Sequence, residues 1–274
     1  MPTLYVVATP IGNLEDITLR ALRILREVDL IASEDTRTTR RLLSRYDIHT
    51  PLTSYNEHNS DRKLPTILAA LADGDVALVS DAGTPGISDP GLHLVRAAAD
   101  EGVEVVSIPG PSAVVTALAV SGMQADRFLF LGFLPRRRAD RRRLLVSMSR
   151  LPYTFVTFET PHRLRDSLAD MLDTLGDRSI TALREATKLH EETFRGAISD
   201  CLAHFQEPRG EFTLVVEGGR PNATPPPTAD GEAMLRAMLR DGVPAREARE
   251  RAAAESGLPR REVYRLWLSV RREA

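Results

Sequence analysis

The stretch Val76–Gly91, VALVSDAGTPGISDPG, decides the fold. Val76–Ser80 is a run without polar alternation, the pattern of a strand covered on both faces in a parallel sheet. Residues 81–91 then hold three glycines and two prolines, more than a bare strand-to-helix connection requires. Asp89 and Pro90 read as the N-cap and first-turn proline of a helix over Leu92–Ala99. Ligands of open α/β sheets bind beyond the carboxyl ends of the strands. Glycine admits a ligand close to the backbone, and a helix start offers unpaired N–H groups.

Working outward, the same grammar recurs at Val6–Asn13, VVATPIGN, and Val105–Ala113, VVSIPGPSA. Strands are expected at Leu4–Ala8, Leu30–Ser33, Val76–Ser80 and Val103–Ile108, with helices at Thr18–Val28, Leu64–Leu71 and Leu92–Ala99. That order predicts an α/β domain over residues 1–122 with a mostly parallel sheet and helices on both faces. Three bends at strand ends then point to one shared cleft. The uncharged run Val105–Ala125 is cut by Pro109-Gly110-Pro111. What remains is a helix of about 11 residues, roughly 16 Å long, short of a ~30 Å bilayer core, so no membrane association is expected.

Residues 123–219 read as a second α/β domain. Strands at Phe128–Phe133, Tyr153–Phe158, Ser179–Glu185, Glu192–Gly196 and Glu211–Glu217 are shorter and more alternating, which predicts a mixed sheet with antiparallel pairs. A helix opening at Thr160-Pro161 carries Leu164, Leu168, Met171, Leu172 and Leu175 on one face. Residues 220–228, RPNATPPPT, read as a semi-rigid linker. In 229–274, helices at Asp230–Arg240, Ala245–Ser256 and Pro259–Val270, with Gly257 at the last turn, suggest a helix-turn-helix-like segment.

The chain has 274 residues, 36 Lys and Arg against 38 Asp and Glu, and a net charge of −2. That balance excludes a protein that coats nucleic acid by bulk charge. Cys201 is the single cysteine. An intramolecular disulfide and a cysteine zinc site are therefore excluded, and a core role in a reducing, cytoplasmic setting is expected. The opening MPTLYVVATPIGNLED lacks the basic start of a signal peptide. No metal site is expected.

Neither G-x-G-x-x-G nor G-x-x-x-x-G-K-[ST] follows a strand, and the three loops contain no Lys. A loop with Asp81, Thr84 and Ser88 suits a neutral or cationic nucleoside better than a polyphosphate. S-adenosylmethionine, a sulfonium nucleoside, fits.

Longer motifs narrow this. ATPIGNLEDIT (Ala8–Thr18), ASEDTR (Ala32–Arg37), SYNEHN (Ser54–Asn59), SDAGTPGISDPG (Ser80–Gly91), IPGPSA (Ile108–Ala113), FLGFLPR (Phe130–Arg136), FETPHR (Phe158–Arg163), EATKLHEE (Glu185–Glu192) and EFTLVVEG (Glu211–Gly218) span nearly the whole chain. Together they resemble the tetrapyrrole-methylase superfamily, and within it the branch that methylates small-subunit ribosomal RNA. Thr160 stands where that pattern has Ala. The resemblance implies 2′-O-methylation of a cytidine ribose in 16S rRNA, S-adenosylmethionine as donor in a cleft between two α/β domains, and a homodimer. It also implies, by matched position, that Pro10, Asp81, Ala82, Gly83, Thr84, Ile87, Ser112, Ala113, Phe158, Glu159 and Ala186 bind the donor.

Ribose methylation needs alignment of the 2′-oxygen and a group to take its proton or stabilise its charge. Lys188 and Glu185 in EATKLHEE are candidates, with His190 and Glu191 beside them. Lys188 is one of only two lysines in an Arg-rich chain. His58, with Glu57, is another candidate, as are Glu34-Asp35 and His162. For the RNA, the tract Arg136, Arg137, Arg138, Arg141, Arg142 and Arg143 offers bidentate phosphate contacts, and Arg260, Arg261 and Arg265 a second basic surface. Charge runs more often form solvated helix faces. Two rival functions share these features: a precorrin-type C-methylase, and a ligand-sensing DNA-binding protein.

Overall fold

The computed structural model describes residues 2–87, 91–219, 231–256, 258 and 260–273. The helix start expected at Asp89 and Pro90, Ser88, the linker 220–228, Gly257, Pro259 and the side chain of Arg260 lie outside the described residues. Met1–Val120 with Leu183–Thr193 form one compact unit, and Ser121–Ala182 with Phe194–Ala274 a second.

In the first unit, β1 (Thr3–Val7), β2 (Leu30–Ser33), β3 (Leu52–Ser54), β4 (Val76–Val79) and β5 (Glu104–Ile108) form a sheet in the order β3-β2-β4-β1-β5. Its four ladders are all parallel. Successive strand residues point to opposite faces, and each face has its own helices. Val7, Ile31, Ala77 and Val79 pack on α1 (Leu19–Glu27) and α2 (Thr36–Arg45). Leu4, Ala32, Val76 and Leu78 pack on α3 (Ser60–Asp73) and α4 (Gly91–Asp100). α5 (Ala113–Ser121) follows β5. Thr18 caps α1, its side chain accepting from the Ala21 N–H. The helix expected from Leu64 begins at Ser60 and carries Pro65 inside it.

The second unit holds β6 (Phe128–Phe133), β7 (Thr154–Glu159), β8 (Ser179–Arg184), β9 (Glu192–Ala197) and β10 (Phe212–Val216), in the order β6-β7-β10-β8-β9. β6 and β7 run parallel, β7 and β10 antiparallel, so the sheet is mixed. α6 (Arg138–Met148), α7 (Pro161–Leu175) and α8 (Ile198–His204) supply Leu145, Leu164, Leu168, Met171 and Ile198 to a core with Phe155, Phe212 and Leu214. Cys201 lies in that core, and burial pushes its thiol up to about 12. α9 (Gly231–Arg240), α10 (Ala245–Ser256) and α11 (Arg260–Glu273) enclose a separate small core of Leu235, Met238, Ala252, Val263 and Trp267.

Candidate active site

The three bends of the first unit meet. Thr9, just past β1, and Gly83, past β4, form an antiparallel bridge, Thr9 N–H to Gly83 O at 2.9 Å and Gly83 N–H to Thr9 O at 3.0 Å. The Thr9 hydroxyl also donates to Ser80 O at 3.1 Å. The Ala8 N–H donates to Ile108 O at 3.2 Å, and a Cβ on Gly110 would stand 3.0 Å from the Ala8 methyl. Gly83 sits at φ +80°, where side chains rarely go, and a Cβ there would stand 3.6 Å from Ile11 Cγ2 and 3.8 Å from Pro111 O. Its N–H and C=O are already spent on Thr9, so what it gives the site is conformation and clearance. Pro10 is buried beside the bridge, Ala82 and Ile87 are exposed, and Thr84 is half-buried. Ser112 O receives the first helical bond of α5, from the Thr116 N–H, and Ala113 opens that helix.

Acidic residues edge the Asp81 bend. Asp81 Oδ1 accepts from the Asp35 N–H at 3.0 Å, and the Asp81 N–H donates to Glu34 Oε2 at 3.3 Å. Partial desolvation, with Asp35 adding to it, pushes the Asp81 carboxyl above the usual range. Arg37 grips Asp35, Nη2 to Oδ2 at 2.6 Å, and holds it at about 2. The ASEDTR motif therefore starts α2 with Asp35 as its cap.

The turn between β8 and β9 belongs to the first unit and is strained. Glu185 and Thr187 adopt φ of +50° and +66°, left-handed values that cost a non-glycine residue of order 1–3 kcal/mol each. The turn is held by its own side chains and by the first bend. Thr187 N–H donates to Glu191, and Asn13 N–H donates to Thr187 Oγ1 at 3.0 Å. Lys188 Nζ lies 3.0 Å from Glu185 Oε1. Gly12 is the seat: a Cβ there would stand 2.6 Å from Lys188 Cγ, 2.8 Å from Thr187 Oγ1 and 2.9 Å from Ala186 O. Lys188, Glu185 and Ala186 are thus brought to the bend that carries Pro10. His58 is exposed in the turn after β3; its N–H donates to Asn56 Oδ1 at 3.2 Å, and Asn56 Nδ2 donates to Glu34 O at 3.4 Å, which places this turn at the same carboxyl edge as the Asp81 bend.

Phe158 and Glu159 belong to the second unit, at the end of β7. Phe158 meets Phe130 and Phe133 edge to face, centroids 5.0 and 5.6 Å apart. Glu159 is buried, and both its oxygens serve the start of α7: Oε1 accepts from the Thr160 N–H at 2.9 Å, and Oε2 from the Ser167 hydroxyl. Arg163 lies 3.5 Å away.

The arginine tract divides. Asp170 on α7, 1% exposed, receives Arg138 at 2.9 Å, Arg141 at 2.6 Å and Arg142 at 3.3 Å. Arg142 also reaches Asp173 at 2.9 Å, and Arg143 reaches Asp140 at 3.2 Å. Arg141 is buried, so its work is to hold α6 on α7. Arg136 and Arg137 precede the helix, exposed, and make no ion pair among the described residues. Sequence reasoning missed Gly12, Thr187 and Asp170. The PIGN motif flagged the first; nothing local flagged a carboxylate some thirty residues from its arginines. Among the described residues no group of three or more His, Cys, Asp or Glu could hold a metal ion, and no helix is long and apolar enough to cross a membrane.

Comparison with known proteins fits this geometry. The family profile described as Tetrapyrrole (Corrin/Porphyrin) Methylases matches residues 3–201. A protein of Synechocystis sp. named ribosomal RNA small subunit methyltransferase I is 45% identical, over 98% of this chain and 99% of its own. Its Thermotoga maritima namesake is 52% identical, over 80% of this chain and 99% of its own. Among solved structures, uroporphyrin III C-methyl transferase of Thermus thermophilus gives a TM-score of 0.57 at 19% identity, over 78% of this chain and 97% of its own. A putative diphthine synthase of Entamoeba histolytica gives 0.60 at 14%, over 80% and 94%. At such identities these two report the fold alone, and it is the fold of the family profile. The chain belongs to the tetrapyrrole methylase family.

Proposed function

We propose that this chain is an S-adenosylmethionine-dependent methyltransferase that methylates the 2′-oxygen of a cytidine ribose in small-subunit ribosomal RNA, as a cytoplasmic homodimer. The observation that carries the reading is the stitching of three glycine and proline bends around Thr9 and Gly83, in a chain 45% identical to a relative named for that RNA.

The residues fit such a donor. Asp81, Asp35 and Glu34 give the described bends an acidic edge, Lys188 reaches them at Gly12, and Gly83 keeps its loop clear of side chain. Pro10, Asp81, Ala82, Thr84, Ile87, Ser112, Ala113 and Ala186 would hold it. When bound, the donor supplies an electrophilic methyl group. The chain's own residues must orient the ribose and manage one proton. Lys188 Nζ, 3.0 Å from Glu185 Oε1, is the cation that would stabilise negative charge developing on the 2′-oxygen. Glu185 then accepts the proton, directly or through Lys188. His58 takes no part in this scheme. Arg136 and Arg137, with the exposed Arg138 and Arg143, face the RNA backbone, while Arg141 and Arg142 hold the helix that presents them.

The test is to incubate the protein with methyl-labelled donor and unmethylated small ribosomal subunits, digest the RNA and identify the product by mass spectrometry. A 2′-O-methylcytidine is expected. Label entering a precorrin-type macrocycle instead, or no transfer, would overturn the reading. Light scattering on the eluting peak checks the dimer.

A further inference from the structure

We infer that the second unit contains a seat for an unpaired nucleotide of the substrate RNA, with Phe133 as the stacking face and Arg136 as the phosphate contact; this rests on the RNA reading above.

Four observations lead there. First, a cavity of about 1080 Å³ opens at the ends of β6 and β7, walled by Phe133, Arg136, Arg138, Thr160, His162 and the α7 side chains facing α6. It lies just above the ~300–1,000 Å³ of small-ligand sites, so a nucleotide and its neighbour fit. Second, Phe133 is 51% exposed, although Phe is a residue that folding normally buries. Third, this exposure is built. Phe130 pairs with Val156 and Phe133 with Phe158, so β6 has one extra residue, and Gly132 in the bulge takes φ +61°. The Thr157 hydroxyl pins that bulge through Gly132 O at 2.7 Å, and the Phe158 ring backs Phe133 edge to face. Bulges of this kind re-aim a side chain beside a site.

Fourth, the charge fits. Four guanidinium groups line the cavity against the carboxylates of Asp166 and Asp170, and Asp170 is already consumed by Arg138, Arg141 and Arg142. Among the described residues Arg136 has no carboxylate partner, and it stands three residues past the aromatic. A free ring face beside an uncommitted cation suits a base that has left its stack, because bases inside a duplex expose no face. Phosphate takes the guanidinium bidentately.

The experiment compares wild type, Phe133→Ala, Phe133→Tyr, Arg136→Ala and, as a control on another element, Arg23→Ala. Transfer to unmethylated small ribosomal subunits is measured alongside donor affinity by calorimetry. Phe133→Ala should raise KM for the subunit about tenfold, in line with the loss of one stacked base. Phe133→Tyr should restore it, and Arg136→Ala should raise KM and flatten its salt dependence by about one charge. Donor affinity and the control should not move. Unchanged KM in both groove variants, or an equal loss of donor affinity, would overturn the seat while leaving methyl transfer standing. If wild type transfers no methyl, the RNA reading falls on that result. The seat is then judged by anisotropy with a single-stranded oligocytidylate, where Phe133→Ala binding like wild type, or weakened equally toward the matching duplex, would overturn it.

Discussion

The two sheets hold their loops by different means. In the first unit every ladder is parallel, so all strands send their carboxyl ends to one edge, and the bends there are joined backbone to backbone, Thr9 to Gly83 and Ala8 to Ile108. In the second unit β10 runs against β7, and polar side chains do the joining, with three arginines on Asp170 and a buried Glu159 serving the start of α7. Backbone joints set small residues, Thr9, Gly83 and Gly110, at bends that a ligand can approach, with the carboxylates of Glu34, Asp35 and Asp81 at their edge. Side-chain joints leave a rim of charge. The first arrangement suits a compact nucleoside, the second a polyanion.

The charged joint should break hardest. Asp170→Ala strips Arg141 of its partner inside the protein, and removing one member of a buried pair costs about 3–5 kcal/mol. Urea unfolding should show a loss of that order, and a loss below 1 kcal/mol would mean the joint is ornamental. Next is the backbone joint. Gly83→Val forces a branched side chain into φ +80° against Ile11, and calorimetry should show donor affinity reduced about a hundredfold or more, the scale of one misplaced contact in a tight site. Third is the strained turn. Lys188→Gln should lower kcat about a hundredfold, whereas Lys188→Arg keeps the cation and should retain activity to within about tenfold. If Arg fails as badly as Gln, Lys188 works as a base, because Arg does not release its proton.

The smallest effect is in pH. The arginines hold the Asp170 carboxyl below its ordinary 3.8 against the opposing pull of burial. A carboxyl depressed on folding adds stability above its unfolded value and loses it as pH falls through the folded one. Unfolding followed from pH 5 downward should therefore show stability declining below about 4, and Asp170→Asn should lack that step. Asp81 carries the opposite sign. Its carboxyl is raised, so a cationic donor should bind less well as pH falls through that raised value, and Asp81→Asn should flatten the trend.

Much of this was readable before any coordinates. Continuous apolar runs marked β1, β2 and β4 because strands covered on both faces leave no polar alternation, whereas β5, at the sheet edge with Glu104 and Ser107 exposed, stood out only by its Val105, Val106 and Ile108. Asp35-Thr36 hid a helix, since α2 buries only Thr39, Leu42 and Leu43 and its stripe is too narrow to stand out from seven polar neighbours. β3 hid because three residues at a sheet edge carry no period. The bends were legible from Gly and Pro, but their bridge was not, because Thr9 and Gly83 are brought together by strand order. The arginine tract was legible as charge and misleading as a single surface: the carboxylates that claim Arg138, Arg141 and Arg142 sit a helix away in α7, at a separation no local pattern reports.

The excursion of residues 183–193 has a consequence for synthesis. The polypeptide leaves its first folded body at 120, returns to it for this short turn, and leaves again. A nascent chain that has emerged only to β5 therefore displays Gly12 and Asn13 with no Thr187 to receive the Asn13 amide. That bend is completed only after most of the second sheet has been translated, which ties its final form to near-completion of the whole polypeptide.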